Sequence, residues 1–258
     1  MTTVGELYRA VDEIAPFRLT DSFDNTGLLV GNAEAPVARA LLALDITRAV
    51  VAEAREADAQ LIISHHPVIF HPLKSLCGDD PAGMLLVSGI AAICAHTNLD
   101  RAQGGLSDEM ARLLELRVLS VLSPMAGEPS CGYGRICEVE GEPTAALLAQ
   151  RAKEAFGCAV VRYVEGSRPI RRIAVVSGSG GSELPAVLEQ GVDAFITGDV
   201  KHDQWITAAN EGLTLIDAGH FHTEAVFAAP LMEKLAARYP DVEFRIARGN
   251  ADPCGYVI

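Results

Sequence analysis

The chain has 258 residues, 49% hydrophobic and 21% charged, which suits one large or two small globular domains and excludes wholesale disorder. With 21 Lys and Arg against 34 Asp and Glu its formal charge is -13, which argues against sequence-independent binding to nucleic acid or to an anionic membrane. The opening MTTVGELYRAVDEIAP has no apolar core and reads as no secretory signal, and the greasy run GMLLVSGIAAICA (83–95) is too short to span a bilayer.

Hydrophobic periodicity predicts helices over 4–14, 47–58, 105–115, 143–156, 182–190, 201–211 and 223–238, with Pro230 kinking or dividing the last. Between them apolar runs predict strands at 38–46, 61–65, 91–96, 133–140, 160–165, 171–177, 193–198, 214–219 and 242–247. That alternation is the pattern of an α/β protein. SPMAGEPSCGYG (123–134), rich in Pro, Gly and Ser, is the expected domain boundary. The six cysteines form no CxxC pair and read as reduced and mostly buried, which makes the cytoplasm the expected location.

Two strand ends in the first half have echoes in the second. DAQLIISHH (58–66) resembles DAFITGDVKH (193–202), and AAICAHTNLD (91–100) resembles TLIDAGHFHTE (214–224). In the latter pair a histidine after the strand is followed four residues later by a carboxylate: His96 with Asp100, His220 with Glu224. Duplication of one α/β unit would bring the strand ends of both halves to one cleft, where α/β folds commonly bind ligands. Asp100 and Glu224 have ordinary uses as well, in a turn and at a helix amino end.

The histidines matter most. His65 and His66 adjoin where an apolar strand stops, and Pro67 keeps His66 out of the helical region. Neighbours in extended backbone point to opposite faces and chelate one ion poorly, but past the strand end they can serve two ions. Imidazoles and carboxylates gathered at strand exits suit zinc, manganese, iron, cobalt or nickel better than magnesium or calcium. Three imidazoles and two carboxylates are more than one catalytic ion takes, and suit a pair.

Six blocks, DNTGLLVG (24–31), LALDIT (42–47), SHHPVIFHPLKSL (64–76), HTNLDRAQGG (96–105), TGDVKHDQW (197–205) and DAGHFHTE (217–224), occur in order along nearly the whole chain. Together they resemble the NIF-three-like family of dinuclear-metal hexameric proteins, which includes type 2 GTP cyclohydrolase I and its homologues. The resemblance implies metal ligands at His65, His66, Asp100, His220 and Glu224, with Glu224 as the bridge, and two divalent transition-metal ions as cofactors. It implies two interleaved, similar three-layer α/β domains, 1–124 with 230–258 and 125–229, with the metal site in the cleft between them. It also implies a homohexameric ring, in the short family form without a mid-chain insertion. The activity expected from it is hydrolytic, hydroxide generated from water at the two ions attacking the purine ring of a nucleotide. Phosphoester hydrolysis at the same metals, or a metal-stabilised scaffold with little catalysis, are the alternatives. Phe23 stands where the family often has Trp, and KHDQW departs from a loosely kept block.

Further candidates are weaker. His96 and His202 can orient ligands or shuttle protons. Lys74, Arg101 and Lys201 follow the histidine blocks and can neutralise a phosphorylated substrate. The Gly-rich turn at 178–181, in AVVSGSGGSEL (174–184), can cradle a phosphate, but tight packing is the reading its spacing favours. No serine elbow or nucleophilic cysteine context is visible.

Overall fold

A computed structural model describes residues 1–257. From the amino end come α1 (Val4–Ile14), β1 (Gly27–Val30), β2 (Arg39–Ala43), α2 (Arg48–Glu56), β3 (Leu61–Ser64), α3 (Pro81–Ser88), β4 (Ala91–Cys94) and α4 (Thr97–Arg101). Next are α5 (Leu106–Leu113), β5 (Arg117–Met125), β6 (Glu128–Glu138), α6 (Ala145–Phe156), β7 (Arg162–Val164), β8 (Arg172–Val175), α7 (Leu184–Glu189) and β9 (Ala194–Thr197). The chain ends with α8 (His202–Asn210), β10 (Thr214–Asp217), α9 (His220–Ala225), α10 (Ala228–Arg238) and β11 (Glu243–Ile246). It is thus a mixed α/β protein with two sheets.

It divides into two compact units that share the chain discontinuously: Met1–Ala102 with Phe227–Ala251, and Gln103–Val226 with the segment from Asp252 onward. Ile258, the last residue of the expected 230–258 segment, lies outside the described residues.

The first unit holds a sheet of order β1-β4-β3-β2-β11, parallel except for β1. LIIS and AAIC are buried at every position, as strands covered on both faces must be. One face carries Leu41, Ala43, Ile62 and Ala92 against Val50, Val51 and Ala54 of α2 and Leu85 of α3. At the start of α1, Thr3 and Glu6 close a reciprocal capping box.

The second unit holds a sheet of order β5-β6-β8-β9-β10-β7, in which β8, β9 and β10 are parallel. Ile173, Val175, Ala194, Ile196 and Ile216 meet Met110 of α5 and Leu148 of α6 on one face. Ala174, Val176, Phe195 and Leu215 meet Leu184 and Val187 of α7 and Ala208 of α8 on the other. This unit is three layers.

The connectivity repeats. In each unit a helix leads to an antiparallel edge strand, and three parallel strands then step back towards that edge: β1-β4-β3-β2 in one sheet, β7-β10-β9-β8 in the other. The match aligns β3 with β9 and β4 with β10, the pairing that the two sequence echoes suggest.

Two expectations change. The Pro/Gly/Ser-rich segment 123–134 is not a linker: it lies in the β5–β6 hairpin, and the chain passes between units at Ala102 and Gln103. The hairpin needs its glycines, for Gly127 takes φ 81 at the turn and Gly132 takes φ 144, where a Cβ would meet the Ser123 carbonyl at 2.1 Å. The helix expected over 223–238 is divided into two, α9 and α10, but the break falls before Ala228 and not at Pro230, which sits in the first turn of α10, where its missing N–H costs nothing.

Among the described residues no helix is long and apolar enough to cross a membrane. All six cysteines are free; Cys77 and Cys254 are exposed and the other four buried. Burial pushes the Cys137 thiol up to about 12 and the Cys158 thiol up to about 11. Alkylation of the native protein at pH 8 is therefore expected to label two thiols, and six after unfolding. Cys254 should react slowly, because the neighbouring charge of Asp252 raises its pKa. Mass spectrometry of the alkylated protein reads the count; four or more thiols labelled in the native protein would contradict this packing.

Candidate metal centre

Parallel strands put their carboxyl ends on one side of a sheet, and in the first unit the polar side chains gather there. The ladder continues past β3, with the His65 N–H donating to the Ala43 carbonyl (3.3 Å) and the His66 N–H to that of Leu44 (2.9 Å). The backbone bends at these two residues, which brings their ring centres within 5.3 Å. Extended backbone would send them to opposite faces.

Each ring is held by its Nδ1. That of His65, a residue with no exposed surface, lies 2.8 Å from the Ala95 carbonyl. A carbonyl only accepts, so Nδ1 carries the proton and Nε2 the lone pair. His65 Nε2 stands 3.8 Å from Asp100 Oδ1, on α4. His66 Nδ1 lies 2.8 Å from Asp45 Oδ1, two residues past β2.

His96, two residues past β4, completes the group with Nδ1 2.9 Å from Asp24 Oδ1. The Asp24 side chain has no exposure and also accepts from Thr97 Oγ1 (2.6 Å) and the Thr97 N–H (3.1 Å). Burial opposes its ionisation, but the hydrogen bonds from His96 and Thr97 prevail and hold the carboxyl well below the usual range. One ring nitrogen from each of His65, His66 and His96 lies within 4.8 Å of the others.

The second unit has a polar group of its own at the ends of β9 and β10. His220 and Glu224, one turn apart on α9, face each other with Nε2 and Oε2 at 2.9 Å. His220 Nδ1 lies 2.8 Å from Asp199 Oδ2, two residues past β9. The Glu224 hydrogen bond leads in pushing the His220 imidazole up to about 9, with Asp199 adding to it, so a metal bound there would displace a proton. Gly178 backs the carboxylate, its φ at +58. Its N–H donates to Thr223 Oγ1 (3.0 Å) and that of Gly180 to Thr197 Oγ1 (2.9 Å). These glycine N–H groups serve the turn itself, which makes it a packing element against Glu224.

The weaker candidates are placed as follows. Arg101 donates to the Leu19 carbonyl (3.1 Å) and to Asp21 (2.5 Å). Lys74 is exposed on the loop before α3, Lys201 is exposed at the start of α8, and His202 is exposed on its first turn. A separate group, Cys77, Asp79 and Asp80, is wholly exposed on the Lys74 loop. The residues that sequence reasoning left without a role are Asp24, Asp45 and Asp199. A signal for two of them was present, because Asp45 precedes His66 and Asp199 precedes His220 by the same 21 residues.

A twice-used α/β sheet unit with imidazoles and carboxylates at its strand exits, each ring fixed by an oxygen acceptor, defines a class of protein with side-chain groups that could hold a metal ion. The chain belongs to the DUF34/NIF3 (NGG1p interacting factor 3) family, whose pattern matches residues 2–253. It is 32% identical over 260 residues to a GTP cyclohydrolase 1 type 2 homolog from Clostridium perfringens, covering 98% of this chain and 99% of that one. It is likewise 32% identical over 276 residues to the NIF3 homolog of Schizosaccharomyces pombe, covering 96% of each. The crystal structure of a Staphylococcus aureus hypothetical protein matches at TM-score 0.91 and 29% identity over 99% of both chains. A Bacillus cereus protein related to NIF3 shares the fold at TM-score 0.91 and 23% identity, covering 100% of this chain and 99% of that one.

Proposed function

We propose that this chain is a dinuclear metal-dependent hydrolase of the cytoplasm that opens the purine ring of a nucleotide, as the names of its relatives suggest. Five side chains would hold the ions: His65, His66 and Asp100 from the first unit, His220 and Glu224 from the second, with Glu224 as the bridge. The observation that carries the reading is the common anchoring of the three histidines, whose Nδ1 atoms meet oxygen acceptors at 2.8 Å. Each ring would then ligate through Nε2, and a carboxylate of the same unit lies beside His65 and His220. The donor set of imidazole and carboxylate fits zinc, manganese, iron, cobalt or nickel.

Such ions supply Lewis-acid activation of water and of the attacked atom. The chain's own part is to fix the ligands. Asp45 and Asp199 orient His66 and His220, Gly178 holds Glu224 in place, and the buried Ala95 carbonyl sets the tautomer of His65. A nucleotide's phosphates need cations, for which Lys74 and Lys201 are exposed.

The test is turnover of a nucleotide panel by zinc- or manganese-loaded protein, scored for formate and phosphate. Formate marks ring opening, whereas phosphate or pyrophosphate marks phosphoester cleavage. His66→Ala combined with Glu224→Ala should abolish turnover, and equal activity in that variant would exclude this centre. Following the family, we further propose a homohexameric ring; a sedimentation mass of one subunit would remove it.

A further inference from the structure

We propose that Asp217 is a positioning residue for the metal centre: its buried carboxylate ties together the two strand exits that carry Asp199 and His220, and so fixes the hydrogen bond between them. This rests on the reading that His220 ligates an ion, and adds a residue to the set that holds the ligands in place.

Three observations carry it. The first is where the bonds of the carboxylate go. Asp217 is the last residue of β10 and is 5% exposed. Its Oδ1 accepts from the N–H of Gly219, next to His220 in the chain, at 3.0 Å. Its Oδ2 accepts from the N–H of Val200, next to Asp199, at 3.2 Å. Oδ2 also accepts from the guanidinium of Arg162, which lies opposite on β7. The β9–β10 ladder ends where Thr197 faces Asp217, followed by one bond from the Ala218 N–H to the Thr197 carbonyl (2.8 Å). Past that point the Asp217 carboxylate carries the connection on to Val200.

The second is backbone strain beside the clamp. Asp199 has φ 52, a left-handed conformation that a residue with a Cβ adopts only at a cost. It is pinned on both sides: the Gly198 N–H donates to the Gly178 carbonyl (2.8 Å), and the Val200 N–H to Asp217. Releasing the Val200 side lets Asp199 relax and draws its Oδ2 away from His220 Nδ1, now at 2.8 Å.

The third is a counterpart in the other repeat. Cys94 ends β4 as Asp217 ends β10, and it faces Ser64 at the end of β3 as Asp217 faces Thr197 at the end of β9. The Cys94 thiol donates to the carbonyl of His65, just past β3, at 3.0 Å. In each unit, then, the side chain at this place in the topology holds the neighbouring strand exit. The thiol does so without charge. Asp217 does so with a buried carboxylate, whose desolvation the two N–H groups and Arg162 offset.

Asp217→Asn and Arg162→Met separate positioning from charge pairing. Both break the ion pair, and only the first takes an acceptor from the loop N–H groups. Asp217→Asn should weaken cobalt(II) binding by the full-length protein about 10- to 100-fold in calorimetry and shift the visible absorption of the bound ion. Arg162→Met, which removes a largely exposed partner, should stay within about 3-fold of the wild type. Amide hydrogen exchange by NMR on the metal-free protein reads the clamp directly. The Val200 and Gly219 N–H groups should exchange slowly in the wild type, and at least about 10-fold faster in Asp217→Asn. Fast exchange of both in the wild type would overturn the clamp even if Asp217→Asn failed to fold. Unchanged cobalt affinity and absorption in Asp217→Asn would also overturn it and leave the ligands in place. An equal loss in both variants would do the same, because it would assign the effect to the ion pair. If the wild type binds no cobalt, the metal reading falls and takes this inference with it.

Discussion

Gly178→Ala is expected to weaken metal binding by His220 and Glu224 by about 10- to 100-fold while the fold survives. A Cβ on Gly178 would lie 1.9 Å from Glu224 Oε1, 2.8 Å from its Cδ and 3.3 Å from His220 Nε2. Either the turn or the carboxylate must move. The turn is held: its N–H donates to Thr223 Oγ1 (3.0 Å), and its carbonyl accepts from the Gly198 N–H (2.8 Å) and from Thr197 Oγ1 (3.2 Å). Glu224 is therefore the group that swings, which breaks the 2.9 Å contact with His220. The φ of +58 adds about 1–2 kcal/mol of backbone strain for any residue with a Cβ, a loss the whole fold can absorb. Calorimetric metal titration beside a melting curve separates the two effects. Gly178→Ala with Glu224→Asp, which draws the carboxylate back by one methylene, should recover part of the affinity. Unchanged binding in the single variant would show that the turn does not set the position of Glu224.

That turn shows how site and sequence relate. The proposed ligand histidines were legible because each closely follows an apolar run: His65 and His66 come directly after LIIS, and His220 three residues after TLID. The residues that orient them were not, because an aspartate in LALDIT or TGDV looks like any turn residue until the neighbouring strand is known. Asp45 and Asp199 each precede their histidine by 21 residues, yet the two pairs are not counterparts in the repeated topology. One pair spans β2 and β3, and the other spans β9 and β10, which correspond to β3 and β4. The common interval is the length of one parallel-strand crossover, so local geometry accounts for it without inheritance.

Legibility of the fold failed where local signals mislead. β1 is a four-residue edge strand, too short for periodicity to show. α3 merges with β4 in the run 83–95, although Asp80, Pro81 and Gly89 mark its two ends. β5 contains Pro124, tolerable only because β5 is the outer strand of its sheet.

The β5–β6 hairpin, read from sequence as a linker, also carries the largest expected stability effect. Arg135 on β6 is 2% exposed, and its Nε and Nη2 donate to Asp108 Oδ1 and Oδ2 at 2.9 and 2.8 Å. Its Nη1 donates to the carbonyls of Gly132 and Gly134 at 3.0 and 2.8 Å, which ties the guanidinium to the turn end of the hairpin. Asp108 lies in the first turn of α5, where the helix dipole favours a carboxylate. Asp108→Ala would leave a buried cation without its counter-charge, at a cost of about 3–5 kcal/mol. That is a large share of the roughly 5–15 kcal/mol that holds an ordinary domain folded. Desolvation, though, offsets much of what the intact pair gains. Asp108→Leu with Arg135→Met should therefore recover most of the loss in urea unfolding. Recovery would mean that the pair chooses where the hairpin docks on α5, while apolar packing supplies the stability. A double variant as unstable as Asp108→Ala would instead assign that stability to the hydrogen bonds that Arg135 gives the hairpin backbone.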